Sequence, residues 1–374
     1  MDVVLAAGGA AWEPRVLTHL NGSQVLRLAR RCVDVADLLA TIGTDLAQAA
    51  LVSVNLPGLD RDVIDRLTRA GIAVVAVEAS PEQAARLGMD RSFGVEDLDA
   101  VADLDVAVPV APSAVAPLIA VWGPTGAPGR SSVALAVASA LAARDVDTVL
   151  VDADVDGGAQ AHMLGVLGDV SGLVAACRAA NQGGVAEIDR HAEIVEPALR
   201  LLSGLPRADM WPQIRPSALD LVLNRLTESA DVVVVDCGHG IEAGGGSGPD
   251  RHRSTVAILE RADEIIVVGR AEPLGLTRLV RALHDLAAVA SGRSPRVLVN
   301  MTRRTLGWSD REVDATITRL TGLAPQAHLP FDQVTWDAAA LTGTTPRVAA
   351  PSSPFVARVE AFASTLRIVE SAAR

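Results

Sequence analysis

The chain has 374 residues, long for one ordinary domain, so two domains are expected. With 49% apolar and 21% charged residues it has the composition of a chain that builds a large core, which excludes general disorder. Its 33 basic residues face 45 acidic ones, a net charge of -12, which argues against a chain-wide cationic surface for nucleic acid. Every basic residue is Arg; Lys and Tyr are absent. That bias most simply reflects GC-rich coding, but it also means that no lysine-dependent chemistry operates here.

The three cysteines, Cys32, Cys177 and Cys237, stand far apart with no C-x-x-C pair, the pattern of a reduced, cytoplasmic protein without a disulfide framework or zinc cage. The seven His have no metalloprotease spacing. No apolar run reaches the roughly 18 to 20 residues that span a bilayer. The start, Met1 to Leu5, lacks a basic region and reads as a first strand, not a signal peptide.

In chain order, 3–7, 50–56 and 72–79 read as buried strands, and 33–41 and 60–70 as helices, the latter stopped by Gly71. Strands alternating with helices predict a parallel sheet covered on both faces. A Pro/Ala/Val stretch over 105–117, with Pro109, Pro112 and Pro117, predicts an extended linker between a first domain at 1–104 and a second at 118–374. After it, strands are expected at 117–123, 148–154, 230–238, 264–270, 296–300 and 326–331, with an Ala-rich helix at 131–143. The segment 238–253 is too rich in Gly to be anything but a loop.

The strongest signal is the strand, GPTGAPGRSS over 123–132, and the helix behind it. Small residues between a strand and a helix N-terminus let successive backbone N–H groups converge on a polyphosphate, and the helix dipole favours the anion. Gly129-Arg130-Ser131 occupies the G-K-S end of the P-loop pattern, with Pro124 in place of its first Gly. Ser131 is the candidate Mg²⁺ ligand, with Ser132 beside it. Two strands end in carboxylates, Asp152 with Asp154, and Asp236. An acidic strand end behind a phosphate loop places a carboxylate near Mg²⁺ through water; singly, such an Asp also serves as a turn cap.

These residues resemble a known group. GPTGAPGRSS, VDADVDGGAQAHMLG (151–165), VVVVDCG (232–238), VLVN (297–300) and LPFDQVTWDAAALTGTTP (329–346) are similar to the MinD/ParA superfamily of deviant Walker ATPases. Within it they most resemble the CpaE/TadZ branch, including the septum-site-determining (Ssd) proteins of actinobacteria. The resemblance covers about residues 117 to 370. It implies an α/β fold with a receiver-like (flavodoxin-like) domain followed by a P-loop NTPase domain with a mostly parallel sheet. It implies ATP or ADP with Mg²⁺ as cofactor, held by Gly126, Ala127, Pro128, Gly129, Arg130, Ser131 and Ser132. Asp154, with Asp152 before it, would stand near an attacking water, and Asp236 would be the Walker B carboxylate. Asn300 would face the adenine, with Pro330, Phe331 and Asp332 on its other side; for Asn300 a plain turn role after a buried strand is equally open.

The departures carry the functional reading. The superfamily's signature Lys falls at Thr125, and the Walker Lys is Arg130, bulky and planar where a compact ammonium is needed. Weak nucleotide binding and slow or absent hydrolysis follow. In the first domain, the receiver resemblance calls for an acidic pair after the first strand and an acceptor Asp after the third. Ala6-Ala7 and Ser53 stand there instead, which makes it a pseudo-receiver used for docking or dimerisation.

His239 is set aside as a loop residue, Trp122 as core, and Asp310, Arg311 and Asp314 as a solvated helix face. Arginines 278, 281, 293, 296, 303 and 304 offer a minor DNA-binding reading. Phe355, Val359, Phe362 and Leu366 fall on one side of a last helix over 353–370, which favours core packing over a membrane helix.

Taken together, the resemblance implies a homodimeric localisation factor for a Flp/Tad-type pilus machine or for septum placement. Its partners would be a secretion or pilus ATPase or division proteins, and it would be recruited from the cytoplasm to the pole, the septum or the inner membrane face. Two other readings stay open: an active ATP-hydrolysing positioning switch, and a nucleotide-free scaffold.

Overall fold

The computed structural model describes residues 1–42, 46–104, 116–126, 128–166, 168, 170–242 and 250–368, with the backbone alone of Arg69. The expected linker up to residue 115, Ala127 of the loop, 243–249 of the Gly-rich segment and the end of the chain from 369 lie outside the described residues. The chain divides into two compact units, Met1–Ser113 and Ala114–Arg374. No helix among the described residues is long and apolar enough to cross a membrane.

In the first unit, strands β1 (Asp2–Ala6), β2 (Arg27–Arg31), β3 (Ala49–Val52), β4 (Ala73–Val77) and β5 (Ser92–Phe93) form a parallel sheet in the order β2-β1-β3-β4-β5. This is a doubly wound order in which the chain changes direction between β1 and β3. β3 is apolar throughout and wholly buried, as is β1 after Asp2, because helices cover both faces. The expected helix over 33–41 is shorter, Val35–Leu39, and starts at Asp34, whose side chain accepts from Asp37 N. β2, Arg-Leu-Ala-Arg-Arg, was not expected, since a polar edge strand has no apolar run to announce it. At the strand ends the receiver reading is concerned with, Ala6 and Ala7 are buried, and the Ser53 hydroxyl accepts from Asn55 N at 3.3 Å.

The second unit holds β6 (Leu118–Trp122), β7 (Thr148–Ala153), β8 (Glu193–Glu196), β9 (Leu199–Leu202), β10 (Val232–Cys237), β11 (Glu264–Arg270), β12 (Arg296–Thr302) and β13 (Ala327–Pro330). Their order is β13-β12-β11-β6-β10-β7-β9-β8, parallel except for the β8–β9 pair. The chain runs from β6 out to β7, β8 and β9, returns to place β10 between β6 and β7, then crosses to the other side of β6 for β11 to β13. The loop leaving the C-terminal end of β6 therefore sits where the strand order reverses, the place such sheets use for ligands.

The helix Arg130–Ala142 that follows this loop is apolar all round and buried from Val133 onward, so it is fixed like a core element. The helix Pro354–Ala363 packs on that side of the sheet and buries Phe355, Val359 and Phe362, with Leu366 beyond its end. The helix is shorter than the sequence pattern suggests, but its apolar side is core, as expected.

Candidate functional site

The loop 123–132 joins β6 to its helix through Gly129, which adopts φ +88°, a left-handed turn that a side chain resists. From β12, the buried Asn300 braces it: Nδ2 donates to Pro128 O at 2.9 Å, while Oδ1 accepts from Met301 N at 2.8 Å. Asn300 thus has an architectural task at the loop beyond the two readings the sequence suggested. Trp122 is buried and donates its indole N–H to His239 O at 3.1 Å, a core residue as expected.

The carboxylates meet the loop where β7 and β10 end side by side, Asp236 opposite Asp152 in register. Asp236 is fully buried. Its Oδ2 accepts from Gln160 Nε2 at 2.8 Å, and the Ser131 side chain lies beside the same carboxylate. Gln160 Nε2 also donates to Ser131 O at 2.9 Å, which ties the first turn of the loop helix to the end of β10. Two buried oxygens, Asp236 Oδ1 and Gln160 Oε1, have no hydrogen-bond partner among the described residues. Buried polar atoms are rarely left so unless an ion, water or ligand completes them.

Asp152 is also buried, and both of its oxygens are held: Gln160 N donates to Oδ2 at 3.0 Å and Asp154 N to Oδ1 at 3.3 Å. It shapes the loop that follows β7. Burial, ahead of the neighbouring Asp236 charge, pushes the Asp152 carboxyl up, and burial does the same at Asp236 against the hydrogen bond from Gln160 and the Ser131 side chain.

Arg130 does not extend outward. Its Nε donates to Cys237 O at 3.2 Å, its Nη1 to Gly123 O at 3.3 Å and Pro124 O at 3.0 Å, and its Nη2 lies 3.5 Å from Asp154 Oδ2. The guanidinium therefore binds the loop to the ends of β7 and β10. Asp154 in turn accepts from Asp156 N at 2.9 Å. Asp156 is flanked by His239 at 3.0 Å and Arg251 at 3.0 Å, so the segments after β7 and β10 are joined by charge.

Thr125 is exposed, and Ser132 is half-buried in the first helical turn. Pro330 ends β13 opposite Thr302 of β12, and Phe331, 50% exposed, donates its N–H to Thr302 O at 2.9 Å. Asp332 caps the next helix and accepts from Thr335 and Ser353. Pro330 and Phe331 thus stand at the same end of the sheet as the loop. Arg270 reaches Gly126 O at 3.5 Å; Arg304 has no bond to the loop among the described residues. The suggested basic face does not form as a unit, because Arg296 pairs with Glu264 at 2.8 Å and Arg293 donates to the carbonyls of Glu260 and Ala262.

Sequence reasoning passed over Gln160 and read Arg278 only as part of a basic face. Gln160 has a readable signal: a Gln opening a helix directly behind the Asp-rich strand end. Arg278 has none, for only the fold brings its helix over the loop.

No protein-family model matches the chain, and no curated protein matches it by sequence. Among solved structures, a ParA family ATPase from Chlorobium tepidum TLS aligns at 18% identity and TM-score 0.57, covering 67% of this chain and 99% of its own. The cell division ATPase MinD of Pyrococcus furiosus aligns at 19% and 0.54, covering 66% and 97%. The septum site-determining protein MinD of Pyrococcus horikoshii OT3, complexed with Mg-ADP, gives 19% and 0.53, covering 66% and 94%. Such coverage exceeds what the first unit, Met1–Ser113, can supply. The second unit has the fold of the MinD/ParA-type P-loop ATPases.

Proposed function

We propose that the second unit binds ATP or ADP with Mg²⁺ at the loop 123–132, and that the bound nucleotide governs homodimerisation of a localisation factor. The observation that carries this reading is Asp236 Oδ1, a fully buried and unpartnered carboxylate oxygen beside Ser131 at the N-terminus of a buried helix. Asp236, through water, and Ser131 would hold Mg²⁺, which neutralises charge on phosphate oxygens when bound. The backbone of Gly126 to Ser132 would cradle the phosphates. Pro330 and Phe331 would flank the base, with Asn300 holding the loop in place. Asp154 would orient a water, a task its pairing with Arg130 opposes, so turnover is slow or absent.

The resemblance to the CpaE/TadZ/Ssd branch supports a role in placing a Flp/Tad-type pilus machine or the division septum, with pilus ATPase or division proteins as partners and recruitment from the cytoplasm to the pole, septum or inner membrane face. The first unit, with the strand order 2-1-3-4-5 and Ser53 in the acceptor place, serves in this reading as a pseudo-receiver for docking. One observation favours a second reading, a nucleotide-free scaffold: Arg130 is spent on the loop's own carbonyls and on Asp154.

Light scattering on the full chain with and without Mg-ATP separates the two. A shift from monomer to dimer on adding nucleotide supports the switch; an unchanged mass at millimolar Mg-ATP supports the scaffold.

A further inference from the structure

Three arginines are brought against the phosphate loop, and they differ in what answers their charge. Arg130 is folded inward on three carbonyls and Asp154. Arg270, at the end of β11, reaches Gly126 O and is paired with Glu272 at 2.9 Å. Arg278 comes from the helix Pro273–Val289 and lays its guanidinium on the same glycine: a Cβ at Gly126 would lie 2.1 Å from its Nη1 and 3.2 Å from its Cζ. It is half-buried, and it has neither a hydrogen bond nor an ion pair among the described residues.

A guanidinium carries five N–H donors, and leaving them idle at a partly desolvated site is costly. Here two guanidinia converge on one glycine of an anion-binding loop, with one carboxylate between them. The buried, unpartnered Asp236 Oδ1 marks the same loop as a place that a cation and its phosphate complete. We infer that Arg278 is the phosphate-binding cation of this site, donating to the oxygens of a nucleoside di- or triphosphate. It supplies from the helix after β11 the charge that Arg130 spends inside the loop. A planar, bidentate donor suits phosphate oxygens, and a half-exposed position leaves it free to close on them. This inference rests on the nucleotide reading above and adds a residue to it.

The test is equilibrium binding of a fluorescent ATP analogue with Mg²⁺ to the full chain, for wild type, Arg278→Ala, Arg278→Lys and the exposed Arg281→Ala one turn on. Melting curves confirm that each variant folds. Arg278→Ala is expected to weaken binding at least tenfold, Arg278→Lys less, and Arg281→Ala within twofold of wild type. Inorganic triphosphate should displace the analogue from wild type and need at least tenfold more to do so from Arg278→Ala. If wild type binds and Arg278→Ala binds equally well, the role of Arg278 is overturned while the nucleotide reading stands. If wild type itself binds nothing at millimolar analogue, both fall together.

Discussion

The guanidinium of Arg130 and the carboxylate of Asp154 form a buried ion pair at 3.5 Å, with side chains 13% and 10% exposed. The pair closes the loop 123–132 onto the end of β7. At a P-loop position where a cation is expected to face outward to phosphate, this chain uses one to hold itself together.

Removing Arg130 leaves the carbonyls of Gly123, Pro124 and Cys237 without donors and Asp154 without its partner. Arg130→Ala should cost about 2 kcal/mol. In a unit of this size that lowers Tm by roughly 4 to 8 °C, readable by differential scanning calorimetry. Arg130→Lys should lose less, because an ammonium keeps the charge but not the planar fork.

Asn300 offers a sharper contrast. Its Nδ2 donates to Pro128 O and its Oδ1 accepts from Met301 N, whose φ is +58°. Asn300→Ala should cost about 1 to 3 kcal/mol. Asn300→Asp should cost more than Asn300→Ala, since it sets a carboxylate oxygen against the Pro128 carbonyl. Urea denaturation of the two variants gives the order directly, and the reverse order contradicts the brace.

Gly204 is held by close approach. A Cβ there would lie 2.5 Å from Asp152 Cγ and 2.8 Å from Asp152 O. Gly204→Ala should destabilise the second unit by about 2 kcal/mol or more. Truncating Asp152 to Ala in the same chain should restore only part of the loss, because the backbone oxygen stays in the way. Thermal melts of the single and double variants test this.

How far the sequence could be read depends on where each element lies. Parallel strands buried on both faces appear as unbroken apolar runs, so β6, β7, β10, β11 and β12 were legible, β7 and β10 with their acidic ends. β8, Glu-Ile-Val-Glu, is an antiparallel edge with Ile194 79% exposed, and it has no such run. The same holds for the arginine-rich β2. The loop was legible because its residues are contiguous, whereas Arg278 arrives from a helix far along the chain through β11. The inward fold of Arg130 depends also on the Cys237 carbonyl at the end of β10 and on Asp154 beyond β7, and no local pattern encodes those.

The cysteines give a pH-linked test of burial. Burial raises the Cys32 thiol to about 11 and the Cys177 thiol to about 12, and it raises Cys237 well above the usual thiol range, with the Asp236 charge adding to burial there. At pH 8 about one molecule in a thousand carries the Cys32 thiolate, and fewer the Cys177 thiolate. A chromogenic disulfide reagent should therefore leave the folded chain unmodified at pH 8 and titrate all three thiols in denaturant. Cys32 belongs to the first unit and the other two to the second, so their separate onset in rising urea would report each unit's opening.

The most direct test of the central claim is calorimetric titration of the full chain with ATP and with ADP, in Mg²⁺ and again in EDTA. The account gives one site per chain, micromolar to submillimolar in Mg²⁺ and at least tenfold weaker without it, because Asp236 and Ser131 act on the nucleotide through the metal. Absence of heat at millimolar nucleotide, or binding indifferent to Mg²⁺, would contradict it.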